Sequence, residues 1–570
     1  MKKFLSVALS VILLLTSVSV IGSAVEQKPD LKFAVASDLH YNVPEEQLTA
    51  SGEIDDEIYW YANRRAAMEN ESGFIIDEFL NQCAENDDVD FVLISGDIVD
   101  NGRAIAQEHT DVAAKFAAFE EKTGKQIYVT VGNHDAGYNS ETTPEEFKEI
   151  YHDYGYDQAL TISDDDCSYT ANLGEKYRLI SLDSCNHDAS TEDGMTAEKM
   201  DWVHKQAQQA KKDGRYPILM MHHNLLDHMP MQSLFSQNFI VKFHLSTADL
   251  FANWGIKLVF TGHEHCSDAS TYTSSLGNKI YDFATTSLTM YPLQYRTFTV
   301  SEDEISYEAQ TVDKIDTDAL SATISGYSQE QLDLMNAGLN DYAKGFLKAG
   351  VQWRLTRSLK MEQMGIEEDS IFYNLVNTAV GGLRKILEEP LYGEGGIQEL
   401  AAEYNLEIPD SSYETGWDVA TELVAAHYAG EESYDFNTTE VTIFLRLVAL
   451  VLRDDLSTVA DDVFFEAANK VFANFGTDEF VTDITKLATK VLGAVTPAEY
   501  LLLAIASPII YRFAVDDDGV NDNNGVIEGY GTVNAKVNAS NIDDKIIDFI
   551  CTIIKYISMF FTFIVKIIVH

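Results

Sequence analysis

Positive charge is scarce: 40 Lys+Arg stand against 91 Asp+Glu in 570 residues, a formal balance of −51 and a pI near 4.4. That deficit excludes a protein that grips nucleic acid by neutralising phosphates, duplexes included, because no basic stripe interrupts the acidic chain. Any phosphate chemistry here needs a cation supplied at the site. Proline is equally sparse, at 10, and with 46% hydrophobic residues this excludes a disordered or collagen-like chain. The length predicts more than one domain. The five cysteines are Cys83, Cys167, Cys185, Cys266 and Cys551, and their odd number leaves at least one outside any pairing within a monomer. No CxxC or Cys/His spacing marks structural zinc. Cys167 and Cys185 flank two strand-like runs, Ser168 to Leu173 and Tyr177 to Asp183, joined at Gly174. A disulfide closing that hairpin and a pair of free buried thiols both fit.

The two ends carry their own signals. Lys2 and Lys3, the apolar run from Phe4 to Val20, and Gly22-Ser23-Ala24 form the three parts of a secretory signal peptide over 1–24. A secreted or extracytoplasmic protein is therefore expected. At the other end, residues 545–570 are apolar, yet Lys545, Asp548, Thr552, Lys555, Ser558, Thr562, Lys566 and His570 recur every three or four positions. On a helix they make one narrow polar stripe. Lys555 near the middle argues against a membrane span. The tail reads either as an amphipathic helix for a membrane surface or partner helix, or as a closing helix on the protein's own core.

Between the ends the pattern changes once. Over 25–315 short apolar runs alternate with amphipathic helical stretches, as in an α/β domain. Over 316–515 the periodicity is helical: Phe372, Leu375, Val376, Ala379, Leu383 and Ile386 share one face. Ser328 with Gln331 makes a capping-box pattern, and helical stretches begin near Ser370, Thr439 and Thr496. Residues 516–544, opening Asp516-Asp517-Asp518-Gly519, read as a polar linker. A calcium loop fails in both registers, since the first ligand position would fall on Val520 or Ala514.

Chemistry concentrates in the first domain, where five apolar runs each end in metal-ligand residue types. Leu31 to Ser37 leads into Asp38-Leu39-His40, and Phe91 to Gly96 into Asp97. Ile127 to Val131 leads to Gly132-Asn133-His134-Asp135, Ile218 to Met221 to His222-His223, and Ile256 to Thr261 to Gly262-His263-Glu264-His265. If these runs are neighbouring buried strands, their carboxyl ends share an edge, where α/β sheets bind ligands. Carboxylate oxygen and imidazole nitrogen together suit two divalent Mn, Fe, Zn or Co ions, and a carboxylate can bridge them. Two such ions can clamp a phosphoryl group. Each residue alone has a plain structural explanation, whereas five coincidences in one domain do not.

In this order the blocks resemble the calcineurin-like metallophosphoesterase superfamily, over roughly 30 to 313. The resemblance implies a four-layer αββα sandwich with two mixed sheets and a dinuclear site at one edge. It implies that Asp38, His40 and His265 bind one ion, that Asn133, His222 and His263 bind the other, and that Asp97 bridges. A metal-bridging hydroxide would attack phosphorus in line. His134 would contact a nonbridging oxygen or the leaving group, and Asp135 would orient it. The choice of His222 over His223 rests on alignment of the His-x-(Pro/Asn) stretch.

Departures narrow the resemblance. Asp100 stands where purple acid phosphatases place a tyrosinate, the Arg residues beside the blocks of protein phosphatases are missing, and the second domain lacks the α/β pattern of periplasmic nucleotidases. The best remaining resemblance is to secreted bacterial phosphodiesterase-like members. The expected function is a phosphoesterase of small phosphate-ester substrates; the alternatives are a nonspecific phosphomonoesterase and an adhesion module on a non-catalytic scaffold. Tyr41, Asn42, Arg64, Arg65 and Tyr138 are positioned in sequence to shape a pocket. His109, His187 and His228 have no motif around them, and the surface is their default place.

Overall fold

The computed structural model describes residues 31–43, 66–187, 195–229, 232–235, 238–353, 371–434, 438–453 and 520–532. The leader at 1–24, the tail at 545–570, the helix start at Thr496, and Arg64 and Arg65 lie outside the described residues. Among the described residues no helix is long and apolar enough to cross a membrane.

In chain order the strands are β1 (Leu31–Ala36), β2 (Phe91–Ile94), β3 (Gln126–Val129), β4 (Thr161–Ile162), β5 (Tyr169–Leu173), β6 (Tyr177–Ser181) and β7 (Tyr216–Met220). They continue as β8 (Leu258–Thr261), β9 (Asp268–Thr273), β10 (Lys279–Ala284), β11 (Gln294–Val300), β12 (Glu304–Thr311) and β13 (Asn524–Glu528). They form two mixed sheets, ordered β13-β12-β11-β1-β2-β3 and β4-β5-β6-β7-β8-β10-β9. In the first, β1, β2 and β3 run parallel, with Phe33 opposite Phe91 and Val92 opposite Ile127. Their residues are buried almost throughout, which is why they read as unbroken apolar runs. In the second, β6, β7, β8 and β10 are the parallel set.

The inner faces of the sheets meet through aromatic rings. Phe33 of β1 stacks on Phe91 and Phe298 at 5.0 and 5.4 Å, and meets Phe260 of the other sheet edge-on at 5.6 Å. Outside the first sheet lie α1 (Ser72–Glu85) and α2 (Ala106–Thr123), the crossovers that parallel strands require. They bury Ile75, Phe79, Val112 and Phe116 toward the strands. Also in this half is α3 (Pro144–Ile150), whose first turn is capped by the Thr143/Glu146 box. Outside the second sheet lie α4 (Ala197–Lys212) and α5 (His244–Asn253), which contribute Val203, Ala207, Ala248 and Phe251 to the cluster there. The result is the four-layer αββα sandwich.

A helical region follows the sandwich: α6 (Thr317–Thr323), α7 (Gln329–Ala337), α8 (Leu339–Trp353), α9 (Ile371–Glu388), α10 (Ile397–Glu403), α11 (Gly416–Ala429) and α12 (Thr439–Arg453). The Ser328/Gln331 capping box forms at the start of α7 as its sequence predicts. Leu387, Trp417, Leu423, Leu445 and Leu447 make this region's core, and Ala66, Ala67 and Met290 of the sandwich join it.

The stretch read as a polar linker needs correction. Within 516–544, residues 524–528 form β13, the antiparallel neighbour of β12, with Tyr307 opposite Gly525. Just before it, Asp522 is buried: its Oδ1 accepts from Ala269 N at 2.8 Å and its carbonyl from Arg296 Nε at 3.0 Å. Asn523 Nδ2 donates to Ala429 O and Gly430 O at 2.7 and 3.0 Å, joining β13 to the end of α11. A turn-rich composition describes those hydrogen-bonded side chains as well as it would describe a solvated loop, so composition alone misled. The four described cysteines, Cys83, Cys167, Cys185 and Cys266, are buried and form no disulfide. Cys167 and Cys185 donate S–H to Pro144 O and Val131 O at 3.5 and 3.7 Å, so the hairpin carries no disulfide.

Candidate metal centre

The five motif-bearing strands are divided between the sheets, β1, β2 and β3 in one and β7 and β8 in the other, not side by side in a single sheet. Their carboxyl ends still meet, because the two sheets pack face to face with those ends on a common edge. There the backbone turns sharply. Asp38, His40, Asp97, His263 and His265 all have positive φ, from 40° to 68°. A non-glycine residue held in this region costs on the order of 1–3 kcal/mol, and such residues concentrate at functional sites. Glycines next to them allow the loops to touch. A Cβ on Gly132 would lie 2.1 Å from Asp97 Oδ1, and one on Gly262 would lie 1.9 Å from Ser37 Oγ and 2.2 Å from Asp38 Oδ2.

All seven residues expected as ligands converge here. Around one position stand Asp38, His40 and His265, with His265 Nε2 3.1 Å from Asp38 Oδ1 and 3.2 Å from His40 Nε2. Around the other stand Asp97, His222 and His263; His222 Nε2 is 3.1 Å from both Asp97 Oδ2 and His263 Nδ1, and 3.0 Å from Asn133 Oδ1. Asp97 lies between them, with Oδ2 3.9 Å from His40 Nε2 and Oδ1 accepting from His134 N at 2.8 Å. His223 packs its ring 4.4 Å from that of His263 but points Nδ1 at Ser184 Oγ, 2.9 Å away, so His222 is the histidine whose nitrogen enters the cluster.

The donor set fits metal ions. His222 Nδ1 donates to Ser95 O at 3.0 Å, His40 Nδ1 faces Asp100 Oδ1 at 3.0 Å, and His265 Nδ1 faces Met290 Sδ at 3.0 Å. With the outer nitrogens turned to other protein groups, the inner nitrogens crowd together beside carboxylate and amide oxygens, an arrangement that suits a cation among them. Asp38 Oδ1 is buried and receives no directed hydrogen bond, although two imidazole nitrogens face it. These residues would hold two divalent ions.

The electrostatics agree. Burial alone would lower His40 and His222, but Asp100 and Asp38 beside the first, and Asp97 and Asp38 beside the second, raise them to about 10 and about 9. Burial would likewise raise Asp97, yet the neighbouring His222 and His134 hold it well below the usual carboxylate range. A carboxylate cluster that draws positive charge this strongly is suited to bind metal ions.

Residues 31–267 match the family described as Calcineurin-like phosphoesterase. The match takes in all five blocks that carry the donors and spans less than half of the chain. The phosphoesterase domain is thus a metal-dependent hydrolase domain, and the convergent donors are its candidate metal-binding residues. No curated protein matches the chain. Among solved structures, a dimetal phosphatase from Danio rerio is similar at 13% identity over 50% of this chain and 96% of that one, with a TM-score of 0.37. A 5'-nucleotidase from Candida albicans is 12% identical over 56% of this chain and 60% of that one (TM-score 0.30). The NAD nucleotidase of Haemophilus influenzae is 11% identical over 70% and 69% (TM-score 0.28).

Several expectations change around the phosphoesterase site. Asp135 does not orient His134. It is fully buried, and its carboxylate accepts from Gly132 N at 2.7 Å and Val99 N at 3.1 Å, pinning the loop instead. Burial, reinforced by Asp97, pushes it up to about 8. The residue that holds His134 is Asp100, whose carbonyl accepts from His134 Nδ1 at 2.7 Å. Sequence reading met Asp100 only as a departure from the tyrosinate pattern; its place three residues after Asp97, on the same turn, was the available signal. Tyr41 also leaves the pocket, since its hydroxyl donates to Asp111 Oδ2 of α2 at 3.0 Å. Asn42 donates through Nδ2 to His40 O at 3.4 Å, and Tyr138 is exposed. His109, His187 and His228 are buried, contrary to the default surface placement. His109, for example, bridges Tyr151 Oη at 3.0 Å and Asp135 O at 2.9 Å, and so supports the same loop from beneath.

Proposed function

We propose that the chain is a secreted hydrolase of small phosphate esters that prefers diesters. The convergence of Asp38, His40, Asp97, Asn133, His222, His263 and His265 on one cleft carries the reading. When bound, two divalent ions would supply charge neutralisation for a phosphoryl group and a lowered pKa for bound water. The protein's share is positioning. Asp97 and the imidazoles fix where phosphorus must sit. His134, one-third exposed and anchored through Nδ1 to Asp100 O, brings Nε2 toward a nonbridging oxygen or the departing alkoxide.

Two features favour a singly charged ester with an organic group. The chain's balance of −51 opposes the second negative charge of a monoester. Beside the ligands, the partly exposed Phe239 ring lies 4.5 Å from the His263 ring, a flat apolar face on which a substituent can rest. Export rests on the leader-like residues 1–24, and association with a membrane or partner helix rests on the polar stripe of 545–570. The test is a rate panel on bis-p-nitrophenyl phosphate and p-nitrophenyl phosphate with added Mn, Fe, Zn or Mg. A diester preference that collapses in His134→Ala is expected. A monoester preference overturns the substrate reading, and inactivity without metal uptake overturns the hydrolase.

A further inference from the structure

A second set of metal-ligand side chains lies away from the cleft, beneath the loop that carries Asn133 and His134. Cys167 immediately precedes the β5 side of the hairpin, Asp183 follows β6, and the antiparallel register that pairs Tyr169 with Ser181 brings the two together. His187 folds back from the loop beyond. Their ligand atoms lie within 4.8 Å of one another, and the residues are 1%, 0% and 4% exposed. Asp183 Oδ2 is 2.7 Å from His187 Nε2 and accepts from Cys167 N at 3.0 Å, while Oδ1 accepts from Cys185 N at 2.9 Å. Lys199 closes the far side, donating to the carbonyls of Asp183 and Cys185.

We propose that Cys167, Asp183 and His187 form a third metal site, distinct from the dinuclear centre, for one zinc-class divalent ion. The combination of thiolate, imidazole and carboxylate suits such an ion. His187 already has the geometry of a metal ligand: Nδ1 donates to Ala136 O at 3.2 Å, which fixes the tautomer and presents Nε2 to Asp183 and Cys167. Binding displaces the Cys167 thiol proton, and any proton on His187 Nε2, to solvent, and the two positive charges of the ion balance the thiolate and the Asp183 carboxylate. The His187–Asp183 contact of 2.7 Å must open to roughly 3.4 Å for tetrahedral ligands. Pro144 O, now the acceptor of the Cys167 thiol at 3.5 Å, or a water completes the shell.

The ion's role would be to brace the active loop. His187 holds that loop twice, through Nδ1 to Ala136 O and through its own carbonyl, which accepts from Tyr138 N at 3.0 Å. A metal at Nε2 would lock the hairpin end to the segment that follows His134 and Asp135. Cys/His spacing carries no hint of this, because the cluster is assembled by strand register.

Sulfur makes the test specific, since none of the seven residues of the dinuclear centre is a cysteine. Full-length Asp97→Ala protein, stripped and titrated with Co(II), is expected to develop a thiolate-to-cobalt charge-transfer band in the near ultraviolet. Adding Cys167→Ser or His187→Gln should abolish the band and lower the cobalt bound by one equivalent. A band that survives Cys167→Ser, or no band at saturation, overturns the proposal. Should those variants fail to fold, zinc-edge X-ray absorption on the zinc-saturated wild type decides the matter. A sulfur scatterer at about 2.3 Å supports the site, and a shell of nitrogen and oxygen alone rejects it.

Discussion

Asp100 Oδ1 lies 3.0 Å from His40 Nδ1, and the carbonyl of the same residue accepts from His134 Nδ1 at 2.7 Å. One residue thus sets the ring of a metal ligand and the ring at the mouth of the cleft, the first through its side chain and the second through its backbone. Asp100→Ala should therefore weaken metal retention and lower kcat/KM by about 10–100-fold, the usual scale for removing a carboxylate behind a metal-binding histidine. Added metal should restore part of the loss, because the His134 anchor survives. Metal-titrated activity checks this, and a rate unaffected at trace metal would remove Asp100 from the role.

Asp135 supports the backbone, so its variant should behave differently. Asp135→Asn puts an NH2 group against one of the two backbone N–H donors now bound at 2.7 and 3.1 Å. A cost of about 1–3 kcal/mol in stability is expected. The pH-rate profile of the folded fraction should keep its shape. A displaced profile at unchanged Tm would return Asp135 to the task of orienting His134.

Chelation should destabilise the domain. Without ions the cluster leaves Asp38 Oδ1 buried without a directed hydrogen bond and brings His222 Nε2 within 3.1 Å of His263 Nδ1. Binding that favours only the folded state adds about 4 kcal/mol per site at a thousandfold excess over Kd. Melting with and without a chelator measures this, and identical curves would mean that the folded chain binds no metal.

Glu108 gives a pH-dependent prediction. Burial first, then the Asp100 charge, raises it from 4.5 to about 7, against the hydrogen bond from Asn101 N at 2.7 Å. The folded state consequently binds more protons than the unfolded state between those values, so Glu108 lowers stability as pH rises from 4.5 through 7. The full effect, up to about 3 kcal/mol, is present above pH 7. Glu108→Gln should raise Tm at pH 8 and change it little at pH 5. An equal gain at both would show that the carboxylate's charge is not the cause.

The parts of this protein that follow from local chemistry were legible in the sequence, and those that follow from register were not. Strands buried on both faces announce themselves as apolar runs, and the ligands sit at their ends, so Asp38, Asp97, Asn133 and His263 were readable one by one. The division of those strands between two sheets was invisible to periodicity, which reports burial and not partners. Asp100 and Asp135 exchanged roles because one bond of each is made by, or to, the backbone, which residue type does not reveal. His187 and β13 were missed for a related reason: polar residues that pair with distant polar residues look the same, in one dimension, as those that face water.

The strand at 524–528 also has a bearing on biosynthesis. The Tyr530 hydroxyl donates to Pro217 O across 313 residues of sequence, and Tyr307 reaches Asn521 across 214. A ribosome adding about 5–20 residues per second would leave β12 as a bare edge for roughly 10 to 40 s before its neighbour emerges. Until then the sheet offers unpaired N–H and C=O groups to any other nascent strand, a liability that folding after release from the ribosome would avoid. A fragment cut at the apparent end of the phosphoesterase domain would keep every metal ligand and carry that open edge permanently.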